Sequence, residues 1–341
     1  MVISNIDLNK KVFIVAELSA NHEQNIQTAI ETIKAAKNGG ADAIKLQTYT
    51  ADTITIDCNN RYFKDILNGT IWEGQKFYDL YKHAFTPWDW HEELFRVAKE
   101  EGLICFSSPF DKTAVDFLEQ LNPPAYKIAS FEIQDIPLIE YTASKKKPIL
   151  ISTGIAALED IELAVKTCRS AGNNNIVLFK CTSIYPAPLE ELNLLTIPDL
   201  KEKFKTEVGI SDHTTGIVAP VVAVTLGARV IEKHLILDKS INSPDAAFSL
   251  DKTEFMEMVR AVRQAELISG KVNYDLPENA IAGRKFGRSL FVVNDIRKGE
   301  LFTEDNIKSI RPGYGMHPKY LKEILGTYAS KDFKRGEPLI L

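Results

Sequence analysis

The sequence predicts an α/β protein: a (β/α)8 barrel followed by a small β-rich domain. Three observations predict it. Eight short, apolar, strand-like segments alternate with helix-like segments. Each of these strands turns polar near its C-terminal end. Near Asn273 the alternation stops and a different pattern begins. Short apolar strands separated by helices imply parallel pairing through crossovers. Eight such units over about 250 residues fit a closed barrel better than an open doubly wound sheet.

The elements follow in order. "MVISNIDLNK" (1–10) is short and precedes the first unit, and is expected to plug the barrel floor. "VFIVAEL" (12–18) is the first barrel strand, and "IQTAIETIKAAKNGG" (26–40) has helical spacing with a Gly-Gly stop. "AIKLQT" (43–48) is the second strand; an insertion over 49–90 separates it from the helix "HEELFRVAKEEG" (91–102). The third to fifth units are "LICFSS" (103–108) with a helix at 112–121, "AYKIAS" (125–130) with 137–146, and "PILIST" (148–153) with 157–172. "IVLFKCT" (176–182) leads into a long loop and a short helix near Leu200. "EVGISDH" (207–213) with a helix at 216–227, and "ARVIEKHL" (228–235) with one at 251–270, complete the eight. Residues 1–270 thus read as the barrel and 271–283 as a linker without clear period. Residues 284–341 read as a domain of short β-like runs with two basic-Gly turns, "IRKGE" and "FKRGE". A domain that small needs support from a neighbour.

Composition narrows the function classes. The 341 residues carry a net charge of −5 without a basic stripe, which argues against nucleic acid and membrane-surface roles. The sequence has no apolar run of about 18 residues and no signal-peptide h-region, so a cytoplasmic setting is expected. Cys58, Cys105, Cys168 and Cys181 match no zinc or redox spacing and read as reduced, mostly buried thiols.

The polar strand ends carry the functional argument. Strand one ends in Glu17, with Ser19, Asn21 and His22 beyond; strand two carries Lys45 and Gln47. Strand three ends in Ser107 and Ser108, and strand four carries Lys127 and Ser130 with Glu132 next. Strand five ends in Ser152 and Thr153; strand six carries Lys180, Thr182 and Ser183, with Tyr185 following. Strand seven ends in Ser211, Asp212 and His213, and strand eight in Glu232, Lys233 and His234. One polar end means little, because burying it needs partners whatever its role. Eight converging on one rim describe the place where barrels put active sites. His213 and His234 end adjacent strands, about 5 Å apart, and two imidazoles at that spacing can share a metal. Alone, either would read as a hydrogen-bonded structural residue. With carboxylates such as Glu17, an N/O site suits Mn²⁺, Co²⁺ or Zn²⁺, and His22 is a third candidate. Lys45 and Lys127 lie inside strands that a barrel buries on both faces, so each needs an anion. With Ser130, Ser152 and Ser211 they describe a pocket for a small, highly charged anion such as a phosphate ester. Lys180 has a structural ion pair as its simpler explanation.

Rival chemistries stay open at this level. A Schiff base on Lys127, Lys180 or Lys233 is possible. A non-catalytic sugar- or phosphate-binding protein would leave a complete set of rim groups unused. A purely structural protein would leave the eightfold polar rim unexplained. The insertion carries "GTIWEG" (69–74) and "FTPWDWH" (85–91). Of Trp72, Trp88 and Trp90, at least two are expected to pack the insertion onto the barrel rather than cover a ligand.

The motifs "AELSANH", "KLQTYTADTIT", "SSPFD", "YKIASFEI", "ISTG", "CTSIYPAP", "GISDHT", "IEKH" and "PDAAFSL", in this order, resemble the sialic acid synthase family. The C-terminal "RSLFVVNDIRKGE" and "SIRPG" are similar to the antifreeze-like (SAF) domain of that family. "GTIWEG", "TPWDWH" and "KIASFEI" are most similar to its pseudaminic acid-forming branch. The resemblance covers nearly the whole chain. It implies condensation of phosphoenolpyruvate with an N-acetylated amino-sugar aldehyde, here 2,4-diacetamido-2,4,6-trideoxy-L-altrose, with release of phosphate. It also implies a divalent metal, with Mn²⁺ first and Mg²⁺ or Co²⁺ as alternatives, and a domain-swapped homodimer.

Residue by residue, the resemblance implies that His213 and His234 hold the metal, which polarises the sugar aldehyde. Lys45, Ser108, Lys127, Ser130, Ser152 and Ser211 would contact phosphoenolpyruvate. Gln47, Tyr185 and Asp245 would contact the sugar, as would Arg311, carried by the C-terminal domain into the partner's site. Glu17, Glu132 and Glu232 are the carboxylates near the reacting centre, with Glu17 or Glu132 handling protons and Glu232 orienting a ligand. Ser183 stands where N-acetylneuraminate-forming relatives have Asn, which favours a different sugar.

Overall fold

A computed structural model describes residues 1–64, 67 and 69–341 of the chain. Three positions of the insertion, 65, 66 and 68, therefore lie outside the described residues. The chain divides into two compact units, Met1–Gly270 and Lys271–Leu341.

The first unit opens with a two-stranded antiparallel hairpin, β1 (Val2–Ile3) and β2 (Ile6–Asp7). Eight parallel strands follow: β3 (Phe13–Glu17), β4 (Ala43–Thr48), β5 (Ile104–Pro109), β6 (Tyr126–Ile128), β7 (Ile149–Ser152), β8 (Ile176–Cys181), β9 (Glu207–Asp212) and β10 (Val230–His234). They close into a barrel, with β10 pairing both β9 and β3. Each strand is followed by a helix expected from the sequence, with ends shifted by a few residues. The helix near Leu200 proves to be nine residues, Thr196–Phe204. Polar caps fix several starts. Asp111, Asp135 and Asp251 accept backbone N–H groups of the first turn, and Asp251 forms a capping box with Glu254.

Side chains alternate between two cores, as the two-residue strand period requires. Outward residues such as Ile14, Ile44, Ile151 and Ile231 pack under the helices. Inward residues such as Phe13, Val15, Phe106, Leu150, Phe179 and Val230 fill the lumen. Ile3 and Leu8 of the N-terminal segment join that lumen cluster, so the hairpin closes the barrel floor. Each such fully buried phenyl or branched side chain stabilises the fold by about 1.5–3 kcal/mol. The filling needs one gap. A Cβ on Gly209 would come within 2.8 Å of the Phe179 ring and 2.5 Å of the Val230 carbonyl. Glycine there lets Phe179 occupy the lumen centre, and the Lys127 ammonium sits 4.8 Å from that ring's centroid. Lumen packing and the polar rim thus meet at Phe179.

The insertion forms short helices, including Ala51–Ile54 and Phe77–Ala84. Trp88 stacks on Phe117 at 4.8 Å and donates its indole N–H to the Tyr49 carbonyl. Trp90 meets His22 edge-on at 5.5 Å. Both pack the insertion onto the barrel.

The second unit is less regular than the β-rich reading suggests. Its one ladder pairs β11 (Ser289–Val292) with β12 (Ile307–Ile310), supplemented by isolated bridges such as Ile296↔Phe333. The two basic-Gly turns hold Gly299 and Gly336 at φ of +87° and +90°, where a Cβ would strain the backbone. A core of Leu290, Val292, Phe302, Ile307, Phe333 and Leu339 holds the unit together. Within the stretch read as linker, Glu278–Gly283 is helical, entered at Pro277. Six residues are too few to show a helical period.

Candidate active site

Strand alternation decides which way each polar strand end points, and β10 shows it for three consecutive residues. Glu232 and His234 share the inward face, and Lys233 points outward. The register carries the rule round the barrel: Glu232 stands beside Ser211 and Val15, His234 beside Glu17, and Glu17 beside Lys45. Ser107 also points outward, toward Thr48, whose hydroxyl contacts both Ser107 and His91.

The inward groups form one buried network. The Lys45 ammonium lies 2.7 Å from Glu17 Oε2 and 3.7 Å from Glu232 Oε2, and donates to Ser108 at 3.2 Å. The Lys127 ammonium lies 2.8 Å from Glu232 Oε1, which also accepts from the Ser211 hydroxyl at 2.9 Å. Gln47 donates to Glu17 at 3.1 Å and to Ser19 at 2.8 Å. Burial pushes the Glu17 carboxyl well above its ordinary range; Lys45 opposes this and Glu232 adds to it. Burial also works against Glu232, but Lys127 and Lys45 together outweigh it and hold that carboxylate low. One carboxyl raised by burial and one held low by the lysines therefore face the same two ammonium groups.

A cavity of about 910 Å³ opens above this network. Its lining includes Glu17, Lys45, Gln47, Lys127, Ser130, Glu132, Ser152, Ser211, Glu232 and both histidines. Tyr185 and Asp245 also line it, and Ser108 reaches it through Lys45. Glu132 sits in the short turn after β6, and burial pushes its carboxyl up to about 7. Ser152 Oγ and Glu132 Oε2 are buried without a hydrogen-bond partner. Ser130 and Ser183, both on the lining, pack against Gly154. A Cβ on Gly154 would lie 2.0 Å from Ser183 Oγ and 2.7 Å from Ser130 Oγ. The glycine of "ISTG" lets the Ser183 and Ser130 hydroxyls occupy that space, and its N–H donates to Ser130 Oγ at 3.3 Å.

The two histidines lie side by side, ring centroids 5.4 Å apart. His213 Nδ1 is 3.1 Å from the Thr182 carbonyl, which can only accept, so in the neutral ring Nδ1 carries the proton and Nε2 the lone pair. Burial opposes charge on His213, but the Cys181 sulfur, 3.7 Å from Nδ1, works the other way and raises its pKa. Burial, with His213 adding, drives the His234 pKa well below the usual value. His234 Nδ1 is buried with no hydrogen-bond partner, and Asp245 Oδ2 lies 3.6 Å away. A neutral, buried, orphaned imidazole nitrogen beside a second imidazole is a fitting donor pair for a borderline divalent cation. Among the described residues no cluster of three or more His, Cys, Asp and Glu ligands is present, so substrate or water would complete the shell.

Other sequence candidates go elsewhere. His22 receives the Gln24 N–H at Nδ1 and faces the Thr86 hydroxyl at Nε2, so it is a packed structural residue. Lys180 donates to the Cys181 carbonyl. Lys233 is wholly buried on the outer face. Arg311 lies in the second unit, exposed on the turn after β12. The structure also adds Phe248, which the sequence reading missed. Phe248 packs at 4.8 Å on His234 and 5.1 Å on Tyr185, and Tyr185 packs at 4.6 Å on His213. Trp72 continues this stack, 5.6 Å from Tyr185, and its indole N–H donates to the Pro244 carbonyl. Phe248 lies in "PDAAFSL", where no periodicity marks it.

Comparison with known proteins gives a consistent picture. A model of the NeuB family matches residues 32–274, and one of the SAF domain matches residues 287–340. A pseudaminic acid synthase of Campylobacter jejuni is 51% identical over 339 residues, covering 99% of this chain and 98% of that one. A pseudaminic acid synthase of Helicobacter pylori is 48% identical, covering 96% of each. The crystal structure of the spore coat polysaccharide biosynthesis protein SpsE from Bacillus subtilis is 33% identical with a TM-score of 0.66, covering 97% of this chain and 94% of that one.

Proposed function

The chain belongs to the NeuB family, and on that premise we propose that it condenses phosphoenolpyruvate with 2,4-diacetamido-2,4,6-trideoxy-L-altrose. The products are pseudaminic acid and phosphate. The observation that carries this reading is the buried Lys45–Glu17 and Lys127–Glu232–Ser211 network beside the histidine pair. It supplies cations for a small polyanion next to a place where an aldehyde can be activated.

The residues divide the work. Lys45 and Lys127 turn from their carboxylates to the incoming phosphate and carboxylate, and Ser130, Ser152 and Ser211 donate hydroxyls to the same oxygens. Ser108 holds Lys45 in place. Gln47, Tyr185 and Asp245 hold the sugar, with the Trp72–Tyr185–Phe248 stack as its apolar wall. His213 and His234 would hold a divalent ion, Mn²⁺ in preference to Mg²⁺ or Co²⁺, which as a Lewis acid would polarise the aldehyde. C3 of phosphoenolpyruvate bonds to the aldehyde carbon, whose oxygen takes up a proton. Water adds at C2 and gives up a proton, and the C2–O bond to phosphate then breaks. Glu17 or Glu132, each with its pKa raised by burial to about 7, takes the proton from water in its ionised form. Glu232, held ionised, orients Lys127 and Ser211.

A homodimer fits the exposed apolar side chains of the segment around residue 270. Leu267, Ile268, Val272 and Tyr274 are 83–94% exposed, which a lone chain leaves in water. In the dimer, Arg311 reaches the partner's sugar. A cytoplasmic setting suits a charged substrate that does not cross membranes unaided. No described helix is long and apolar enough to span one.

The test is phosphate release from phosphoenolpyruvate with the diacetamido-trideoxy-altrose, its legionaminic-type epimer and N-acetylmannosamine, each with EDTA and with added Mn²⁺. Turnover with the altrose alone, lost in EDTA and restored by Mn²⁺, is expected. Turnover with another sugar keeps the chemistry and overturns the substrate. Turnover that survives EDTA returns the reading to a Schiff base on Lys127.

A further inference from the structure

Behind the histidines, on the outer face of the barrel, lies a second buried ion pair that the proposed reaction does not use. Lys233 Nζ is 2.6 Å from Asp212 Oδ2, and both side chains are 0% exposed. Lys233 also donates to the Thr214 carbonyl. Asp212 Oδ1 accepts the Thr214 N–H at 2.9 Å, and Oδ2 accepts its hydroxyl at 3.2 Å. The pair therefore joins β10 to both the last residue of β9 and the turn beyond it. Burying two charges is unfavourable unless geometry compensates, and hydrophobic residues often do as well. Stability alone is therefore a weak reason for the pair.

Its place in the ladder supplies a better one. The pairing of β9 with β10 ends at Asp212↔Lys233. His213 and His234 are the next residue on each strand, one step past the last rung. Asp212 and Thr214 flank His213 in sequence, and Lys233 precedes His234. The strand alternation turns the ion pair outward where it turns the imidazoles inward. We propose that Lys233 and Asp212 are positioning residues: their buried bond clamps the last rung between β9 and β10 and so fixes the separation of the two imidazoles. Without the clamp, the β9 end relaxes away from β10 and the donor pair opens. This inference rests on the histidine pair holding the metal, as proposed above.

The experiment measures Mn²⁺ binding to the full chain, without substrates, by the loss of the free-ion EPR signal. Lys233→Met alone strands the Asp212 charge and is the variant at risk of not folding. Asp212→Asn combined with Lys233→Met removes both charges, keeps an acceptor for the Thr214 N–H and fills the lysine stem's volume. The double variant is expected to unfold thermally at or above the wild-type temperature, yet to bind Mn²⁺ 10–100-fold more weakly, the usual effect of losing a group that orients metal ligands. Its KM for phosphoenolpyruvate at saturating Mn²⁺ should stay within about twofold, a split that simple loosening of the barrel would not give. A folded double variant with wild-type Mn²⁺ affinity overturns the proposal. His213→Ala tests the underlying reading separately. Binding that survives His213→Ala shows the ion to sit elsewhere, and overturns the metal assignment and the clamp together.

Discussion

The two faces of the barrel strands bury charge in opposite ways. On the outer face, Lys233 and Asp212 make a closed set: every Asp212 oxygen has a partner, and the lysine has two acceptors. On the inner face, Lys45 and Lys127 share two glutamates among longer and shorter contacts. There Ser152 Oγ, Glu132 Oε2, Glu232 Oε2 and His234 Nδ1 have no hydrogen-bond partner. A protein normally satisfies its buried polar groups. The outer pair obeys that rule and reads as architecture. The inner set leaves several groups unsatisfied in one cavity, which is what a site awaiting a polyanion and a cation should look like. The difference teaches that burial of charge alone does not mark function; several unsatisfied groups gathered in one cavity do.

The comparison breaks most sharply on two matched substitutions. Lys127→Met and Lys233→Met each remove one lysine from a buried carboxylate. In Lys127→Met, Glu232 keeps Ser211 and nearby Lys45, so the fold should hold while kcat/KM falls by about 10²–10³, the range for losing one preorganised electrostatic group. In Lys233→Met, Asp212 is left as an uncompensated buried charge, and destabilisation of about 3–5 kcal/mol is expected. Steady-state kinetics and denaturant unfolding on both proteins check this. Equal losses of stability would mean that the inner network is architecture as well.

The same distinction governed what the sequence could disclose. Alternating apolar and helical segments revealed the barrel, because strand and helix periods are local. Glu17, Lys45, Lys127 and Glu232 were legible as a group because a parallel barrel buries both strand faces, leaving few reasons for charge there. Facing was harder. Ser107, Asp212 and Lys233 sit at the same strand ends as Ser108, Ser211 and Glu232, and only the register turns them outward. His22 looked like a ligand by proximity in the chain, but its two nitrogens are engaged by Gln24 and Thr86. Phe248 and Trp72 reach the histidines through Tyr185, from loops whose path no periodicity encodes. The helix Glu278–Gly283 was too short to register.

A smaller effect is expected at the cavity's apolar wall. Trp72 is half-buried and stands third in the stack that runs from His213 through Tyr185. On the proposed reading it would stand at the distal end of the sugar, whose aldehyde would lie at the histidines. Trp72→Ala should lower kcat/KM for the sugar about 10- to 100-fold, the worth of one or two apolar groups in a pocket. The KM for phosphoenolpyruvate should stay within about twofold, because the cations proposed to bind it lie on the inner strand faces. An equal rise in both KM values would show that Trp72 holds the insertion rather than the sugar.

The smallest effect concerns Glu132, whose carboxyl burial raises to about 7 from its ordinary value of 4.5. The folded state then holds a proton that the unfolded chain has released between those two values. Its contribution to stability is full below the unfolded pKa and is lost as pH rises through the folded one. Wild-type thermal stability should therefore fall between about pH 5 and pH 7 more than that of Glu132→Gln, which has no proton to lose. Glu17 is raised in the same direction but is present in both proteins, so it cancels in the difference. Melting temperatures at pH 5 and pH 7.5 for the two proteins give the sign, and identical slopes would place the Glu132 proton elsewhere. The variant also separates the two candidate bases. If Glu132 takes the proton from water, the acidic limb of the kcat/KM profile near pH 7 disappears with it; if the limb persists at reduced height, Glu17 is the group that titrates.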